Sequence, residues 1–206
     1  MNGGGGVALN DAPTAEAMNR IAAAHRPFGT CRLLPTLVTA SPEATTATLA
    51  AARSAGSAIV GLHLEGPHLD PVRRGFHDSR LMRRLSEADI DRLLAADVGR
   101  LLMTIAPQQV DPAQVRRLVD GGVIVSLGHS DATYEQAMTL FDAGATGVTH
   151  LFNAMTGMHH RTPGMVGAAL AHAEFAELIP DMLHVHPGAI RVALRSIPRL
   201  FCVTDS

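Results

Sequence analysis

Short, uninterrupted apolar runs recur along this chain, each separated from the next by a stretch with helical spacing. That alternation restricts the possible folds more than any other feature of the sequence. The runs read as strands over 33–39, 58–64, 101–105, 123–127, 147–151, 177–179 and 200–204. A helix is predicted to open at Pro42 behind a Ser41 cap, and others to cover 87–96, 112–120, 134–143 and 187–196. Continuous rather than alternating apolar strands fit a parallel sheet buried on both faces. Repeated strand–helix units predict one α/β domain over residues 1–206.

Where the polar residues stand predicts the kind of α/β fold. His63 and Glu65 end one strand, His129 and Ser130 follow another, His150 ends a third and Asp205 ends the last, with His184 shortly after 177–179. Acids and imidazoles at the C-terminal ends of successive strands are expected of a closed parallel barrel with its site on that rim. An open dinucleotide-binding sheet would show a Gly-rich turn between a strand and a helix. Gly3 to Gly6 is not such a turn, because no strand precedes it and the spacing is wrong. Glu65, His129 and His150 together offer the oxygen and nitrogen ligands that suit zinc or a similar divalent ion, with one position left for water. Asp205 is a candidate acid/base for that water. Taken singly, each of these residues is equally an ordinary buried polar group, a turn residue or a cap.

Composition removes other functions. All 17 basic residues are arginine, so lysine Schiff bases, phosphate-binding P-loops and carbamylated-lysine metal bridges are excluded. A net charge of −2 with no basic run argues against a nucleic-acid partner. No apolar stretch is long enough to suggest a membrane span, and the N-terminal Met-Asn-Gly-Gly-Gly-Gly does not read as a signal peptide. Cys31 and Cys202 stand alone, so no disulfide framework or cysteine zinc site is expected, and a reducing, cytoplasmic setting is the default.

Several segments resemble one family in order along the chain. Gly61-Leu62-His63-Leu64-Glu65-Gly66-Pro67 resembles the HLEGP segment of the N-acetylglucosamine-6-phosphate deacetylases, in the amidohydrolase superfamily. Gly128-His129-Ser130-Asp131-Ala132 is similar to their GHS-x-A segment. Thr149 to Met155 followed by Arg161-Thr162-Pro163-Gly164 is similar to THLFNAM…R-x-P-G, Asp181 to His184 to D-G-x-H, and Val203-Thr204-Asp205 to VTD.

The resemblance implies a metal-dependent-hydrolase (β/α)8 TIM barrel that removes the acetyl group from N-acetylglucosamine 6-phosphate. Glu65, His129 and His150 would hold one divalent metal, zinc first and iron, cobalt or manganese as alternatives. Asp205 would be the acid/base, and His184 would polarise the acetamide carbonyl. His77 would meet a sugar hydroxyl, Asn153 and Ala154 the substrate near its phosphate, and Arg161 the phosphate itself, reaching across a homodimer interface. His63 is left as a possible supporting group, and His25, His68, His159, His160, His172 and His186 as exposed. Rival expectations are the galactosamine epimer, another amidohydrolase substrate, or an inactive remnant that only binds metal or sugar phosphate.

Three departures accompany the resemblance. Asn2 stands where two-metal relatives carry H-x-H, as in the single-metal branch. The first barrel strand is expected to be mostly missing, together with the final helix and the small β-domain, giving a truncated and poorly active barrel. Met182 takes the place of the usual Gly after Asp181.

Overall fold

The computed structural model describes residues 1–205. Chain order begins with an antiparallel hairpin, β1 (Gly3–Gly4) and β2 (Val7–Ala8). Gly5 and Gly6 both take positive φ (61° and 75°), the backbone a two-residue hairpin turn needs, so the glycine run is a turn. Helix α1 (Ala15–His25) follows behind a Thr14 cap. The main sheet has seven parallel strands in chain order: β3 (Thr36–Val38), β4 (Gly61–Glu65), β5 (Arg100–Ile105), β6 (Ile124–Leu127), β7 (Gly147–Val148), β8 (Phe175–Leu178) and β9 (Arg199–Cys202). Between them run α2 (Pro42–Arg53), α3 (Glu87–Leu94), α4 (Pro112–Asp120), α5 (Tyr134–Asp142), α6 (Gly164–His172) and α7 (Pro187–Ser196). Each strand pairs with the next through an intervening helix, which is the (β/α) unit of a TIM barrel.

The predicted strands lie where expected; most are shorter, while those over 101–105 and 177–179 run as Arg100–Ile105 and Phe175–Leu178. Pro35 lacks an N–H, so the run 33–39 touches β4 through an isolated Leu33–Ile59 bridge and pairs regularly only from Thr36. The run 147–151 stops after Val148 because His150 turns into positive φ. On the side of β3 away from β4, the Met1 carbonyl accepts from Thr36 N and its amino group donates to Thr36 Oγ1.

Side chains alternate along each strand. Leu62, Leu64, Leu101, Met103, Ile105, Val125 and Leu127 face the helices and form the core with Ile90, Val115, Leu118 and Leu140. Truncating a residue such as Leu127 to Ala costs about 2–5 kcal/mol. The opposite, inner face is polar. His63 Nδ1 lies 3.1 Å from Thr36 Oγ1 and its Nε2 2.8 Å from Thr104 Oγ1. Thr104 Oγ1 in turn is 2.7 Å from Thr149 Oγ1, which bonds Ser126 Oγ at 2.8 Å. Burial pushes the His63 pKa down to about 3, so the ring is neutral and each nitrogen finds a hydroxyl partner. His63 therefore belongs to a satisfied layer beneath the C-terminal rim, one turn of the strand pleat below Glu65.

Candidate active site

Glu65 is the last residue of β4, His129 lies two residues beyond β6, and His150 two residues beyond β7. All three are buried. The sheet brings these strand ends close together, although the residues are far apart in sequence. His129 Nε2 is 2.9 Å and His150 Nε2 3.2 Å from the same oxygen, Glu65 Oε1, and the two Nε2 atoms are 3.0 Å apart. Both histidines hold positive φ (46° and 33°), an uncommon backbone state for residues other than glycine that turns their rings into one point.

The proton positions show what this geometry is made for. His129 Nδ1 is 2.8 Å from the Arg73 carbonyl, which can only accept, so Nδ1 carries the hydrogen. In the neutral ring, Nε2 then presents a lone pair to a carboxylate oxygen and to a second imidazole nitrogen. His150 Nδ1 is buried without a hydrogen-bond partner. Burial alone pushes Glu65 up, but the imidazoles of His129, His150 and His77 around it outweigh that and hold the carboxyl well below its ordinary value. Burial likewise opposes charge on His150, yet the hydrogen bond and charge of Glu65 raise it. An ionised carboxylate and two imidazole nitrogens aimed at one point are electrostatically balanced by a cation. Their ligand atoms lie within 4.8 Å of one another, and no other such group occurs among the described residues. The donor set fits a divalent ion of the zinc type.

His77 belongs to the same cluster. It is buried, its Nδ1 bonds Thr39 Oγ1 at 2.8 Å, and its Nε2 points at Glu65 Oε1 from 3.6 Å without a hydrogen bond of its own. Its ring meets His129 edge-on, with centroids 4.5 Å apart.

The other predicted residues are arranged differently. Asp205 is exposed and lines a cavity of 280 Å³ that also reaches Glu65, His63 and Glu177, open toward the seam between β9 and β3. His184 is exposed and held by Asp181, whose Oδ2 lies 2.6 Å from His184 Nδ1. Met182 does take the left-handed backbone (φ 67°) that a glycine would occupy without strain. Asn153 bonds the His150 carbonyl, and Ala154 sits at positive φ (50°) with its carbonyl accepting from Ser130 N. Arg161 is exposed, and among the described residues no carboxylate pairs with its guanidinium.

One expectation is corrected outright. His68 is buried, not exposed: it lies behind the cis Gly66–Pro67 bond, with Nδ1 on the Arg83 carbonyl and Nε2 3.9 Å from Asp89. His25 is half-buried against the Gly3 carbonyl, whereas His159, His160, His172 and His186 are exposed as expected. Glu177 escaped the sequence reading. Burial pushes its pKa up to about 7. The available signal was an acid inside the apolar run Phe175-Ala176-Glu177-Leu178-Ile179.

No known protein-family profile matches the chain. It is 41% identical over 213 residues to an N-acetylgalactosamine-6-phosphate deacetylase of Shewanella sp., an alignment covering all of this chain and 54% of that protein. The crystal structure of N-acetylglucosamine-6-phosphate deacetylase from Pasteurella multocida superposes with a TM-score of 0.95 at 33% identity, over all of this chain and 56% of that one. A Mycobacterium smegmatis N-acetyl-D-glucosamine-6-phosphate deacetylase variant, solved in complex with N-acetyl-D-glucosamine-6-phosphate, superposes with a TM-score of 0.91 at 38% identity, over 98% of this chain and 55% of that one. The chain thus spans about half the length of the relatives it matches.

Proposed function

We propose that the protein to which this chain belongs hydrolyses the acetamide of N-acetyl-D-glucosamine 6-phosphate to D-glucosamine 6-phosphate and acetate; the chain is similar over its whole length to about half the length of N-acetylated amino-sugar 6-phosphate deacetylases. The observation that carries the reading is the convergence of Glu65, His129 and His150 at three neighbouring strand ends, buried and aimed at one point. These residues would hold one divalent cation, with zinc as the first choice and iron, cobalt or manganese as alternatives. Such an ion supplies Lewis acidity and makes bound water a nucleophile near neutral pH.

The remaining steps fall to side chains. Asp205 shares a cavity with Glu65, so a water attacking from that side can lose its proton to the Asp205 carboxylate. The C–O bond forms first, shifting the carbonyl π electrons onto its oxygen; these then re-form the C=O as the C–N bond breaks, and the proton held on Asp205 passes to the departing amine. His184, kept upright by Asp181, is assigned to the carbonyl oxygen, where a donor stabilises developing negative charge. His77 is assigned to a sugar hydroxyl. Asn153 and Ala154 lie on the loop after His150, toward the phosphate. Arg161, whose guanidinium fork meets no carboxylate among the described residues, is assigned to the phosphate, reached in a homodimer from the neighbouring subunit. The free thiols of Cys31 and Cys202 suit a reducing compartment, and cytoplasmic residence is part of this proposal. No helix among the described residues is long and apolar enough to cross a membrane.

A second substrate is favoured by one observation, since the 41%-identical Shewanella relative bears the galactosamine name. Acetate release from the metal-loaded protein is measured with both epimeric 6-phosphates and with unphosphorylated N-acetylglucosamine. The expected result is turnover of N-acetylglucosamine 6-phosphate well above the other two. A preference for the galactosamine epimer would reassign the substrate, and metal-loaded protein releasing no acetate from any of them would overturn the function.

A further inference from the structure

The loop that follows β4, residues 66–77, is stitched to the segment carrying His129 by contacts that the proposed chemistry does not use. Asp70 is buried; its N–H donates to the His129 carbonyl, its Oδ2 accepts from Asp131 N at 3.1 Å, and its Oδ1 accepts from Val72 N at 3.0 Å. Arg73, on the same short turn, grips Asp131 with both Nε (2.8 Å) and a terminal nitrogen (2.7 Å) on Oδ1. The backbone carbonyl of that same Arg73 receives His129 Nδ1–H.

We propose that the Arg73–Asp131 pair is a clasp that positions His129 as a metal ligand. By pinning both sides of the loop junction, the pair holds the Arg73 carbonyl against Nδ1. That fixes the hydrogen on Nδ1 and leaves the Nε2 lone pair facing Glu65 and His150. A ligating histidine whose second nitrogen is held in this way binds metal more tightly, because tautomer and ring angle are set before the ion arrives. Asp131 and Arg73 touch neither the ligand atoms nor the cavity, so they are positioning residues. Asp131 also falls at the unspecified position of the GHS-x-A segment, so its role here comes from the contacts and not from the resemblance.

The proposal rests on the metal reading above, and the experiment separates the two. Zinc affinity is measured by competition titration for the wild type, Asp131→Ala, Arg73→Ala, the double variant, and Arg84→Ala as control. Arg84–Asp111 is a more exposed surface ion pair that makes no contact with Glu65, His129, His150 or the Arg73 carbonyl. We expect a 10- to 100-fold weaker affinity for each clasp variant. The double variant should be no worse than the poorer single one, since both remove one device. Arg84→Ala should bind like the wild type, and the metal-free proteins should unfold at similar temperatures. In nitrogen NMR of metal-free protein, His129 should be the single Nδ1–H tautomer in the wild type and a mixture in Asp131→Ala. Wild-type affinity and tautomer in both clasp variants would overturn the clasp and leave the metal centre standing. Absence of zinc binding by the wild type would overturn both.

Discussion

The residues assigned to one reaction fall into two regions that the fold treats in opposite ways. Glu65, His129, His150 and His77 are buried, share partners, and converge on a single carboxylate oxygen. His184, Asp205 and Arg161 are exposed and sit on segments beyond β7, β8 and β9. Glu65, His129 and His150 stand at or just beyond the ends of β4, β6 and β7, each paired on both sides, so a shift of any one of them would disturb hydrogen bonds with two neighbours, and His77 joins them from the loop after β4. The second group is held by local contacts such as Asp181 on His184. Strand ends in mid-sheet thus build the proposed ion site into the fold, while the groups proposed to react with substrate are carried on loops. Substitutions in the two regions should leave different signatures.

The largest effect belongs to the buried region. Glu65→Gln or His129→Asn should weaken metal binding by at least about 100-fold, since loss of a direct ligand exceeds the loss of a supporting contact. Metal added at 100 times its Kd should stabilise the wild type by about 2.7 kcal/mol and these variants hardly at all. Calorimetric titration and thermal unfolding with and without zinc test this. Retained affinity in both variants would break the comparison by removing its buried half.

His184→Asn and Asp205→Asn should give the reverse pattern. Each removes a group assigned to the reacting atoms, so kcat should fall by about 10²–10³-fold. Metal stoichiometry and unfolding temperature should stay at wild-type values, because both side chains are exposed. Loss of bound metal in either variant would show that the exposed residues belong to the ion site after all.

The sequence exposed these two regions to different degrees. Glu65, His129 and His150 could be read because each interrupts or ends an apolar run, and a strand end can be located to within a residue or two from the run itself. Their convergence could not be read from spacing, since it depends on β4, β6 and β7 lying in one sheet with β5 between the first two. Helix α6 was missed because Gly164-Met165-Val166-Gly167-Ala168-Ala169 is apolar on all sides and carries no 3.6-residue rhythm. Helix α1 did carry one, with Met18 and Ile21 buried behind the Thr14 cap, but its alanine-rich surroundings masked it. His68 and Glu177 were misjudged or overlooked for a shared reason. Whether an isolated polar residue in an apolar segment is buried depends on which partner the fold brings opposite it, here Arg83 and Asp89 for His68.

Glu177 provides a third case, buried like the proposed ion site but outside the Glu65, His129 and His150 cluster. Burial chiefly raises it, to about 7, against an ordinary value of 4.5. Between those values the native protein binds more protons than the unfolded chain, so this residue makes stability fall as pH rises from about 4.5 to 7. The accumulated loss is about 3 kcal/mol above pH 7. Glu177→Gln removes that slope, so the metal-free variant should gain on the wild type by about that amount between pH 4.5 and pH 8, as read from urea unfolding. A stability difference independent of pH would show that Glu177 is ionised and partnered in the native state, which would place it with the ion site.

The smallest effect is expected at Met182, between Asp181 and His184. Its positive φ costs an L-residue about 1–2 kcal/mol relative to glycine, while glycine costs about 0.5–1 kcal/mol more entropy on folding. The two largely offset, so Met182→Gly should raise stability by about 0–1.5 kcal/mol. The loop has little reason to move, because Asp181 Oδ1 accepts from Leu183 N at 2.9 Å and His184 N at 2.8 Å while Oδ2 holds the His184 ring. These bonds carry the non-glycine backbone at 182, and they remain when the side chain is removed. Activity should therefore change less than about threefold in Met182→Gly, whereas Asp181→Ala, which releases all three bonds, should cost more in kcat than in stability. A tenfold activity change from the glycine variant, with unfolding unaltered, would show that the Met182 side chain itself orders His184, and that this exposed loop is built more like the buried region than its contacts indicate.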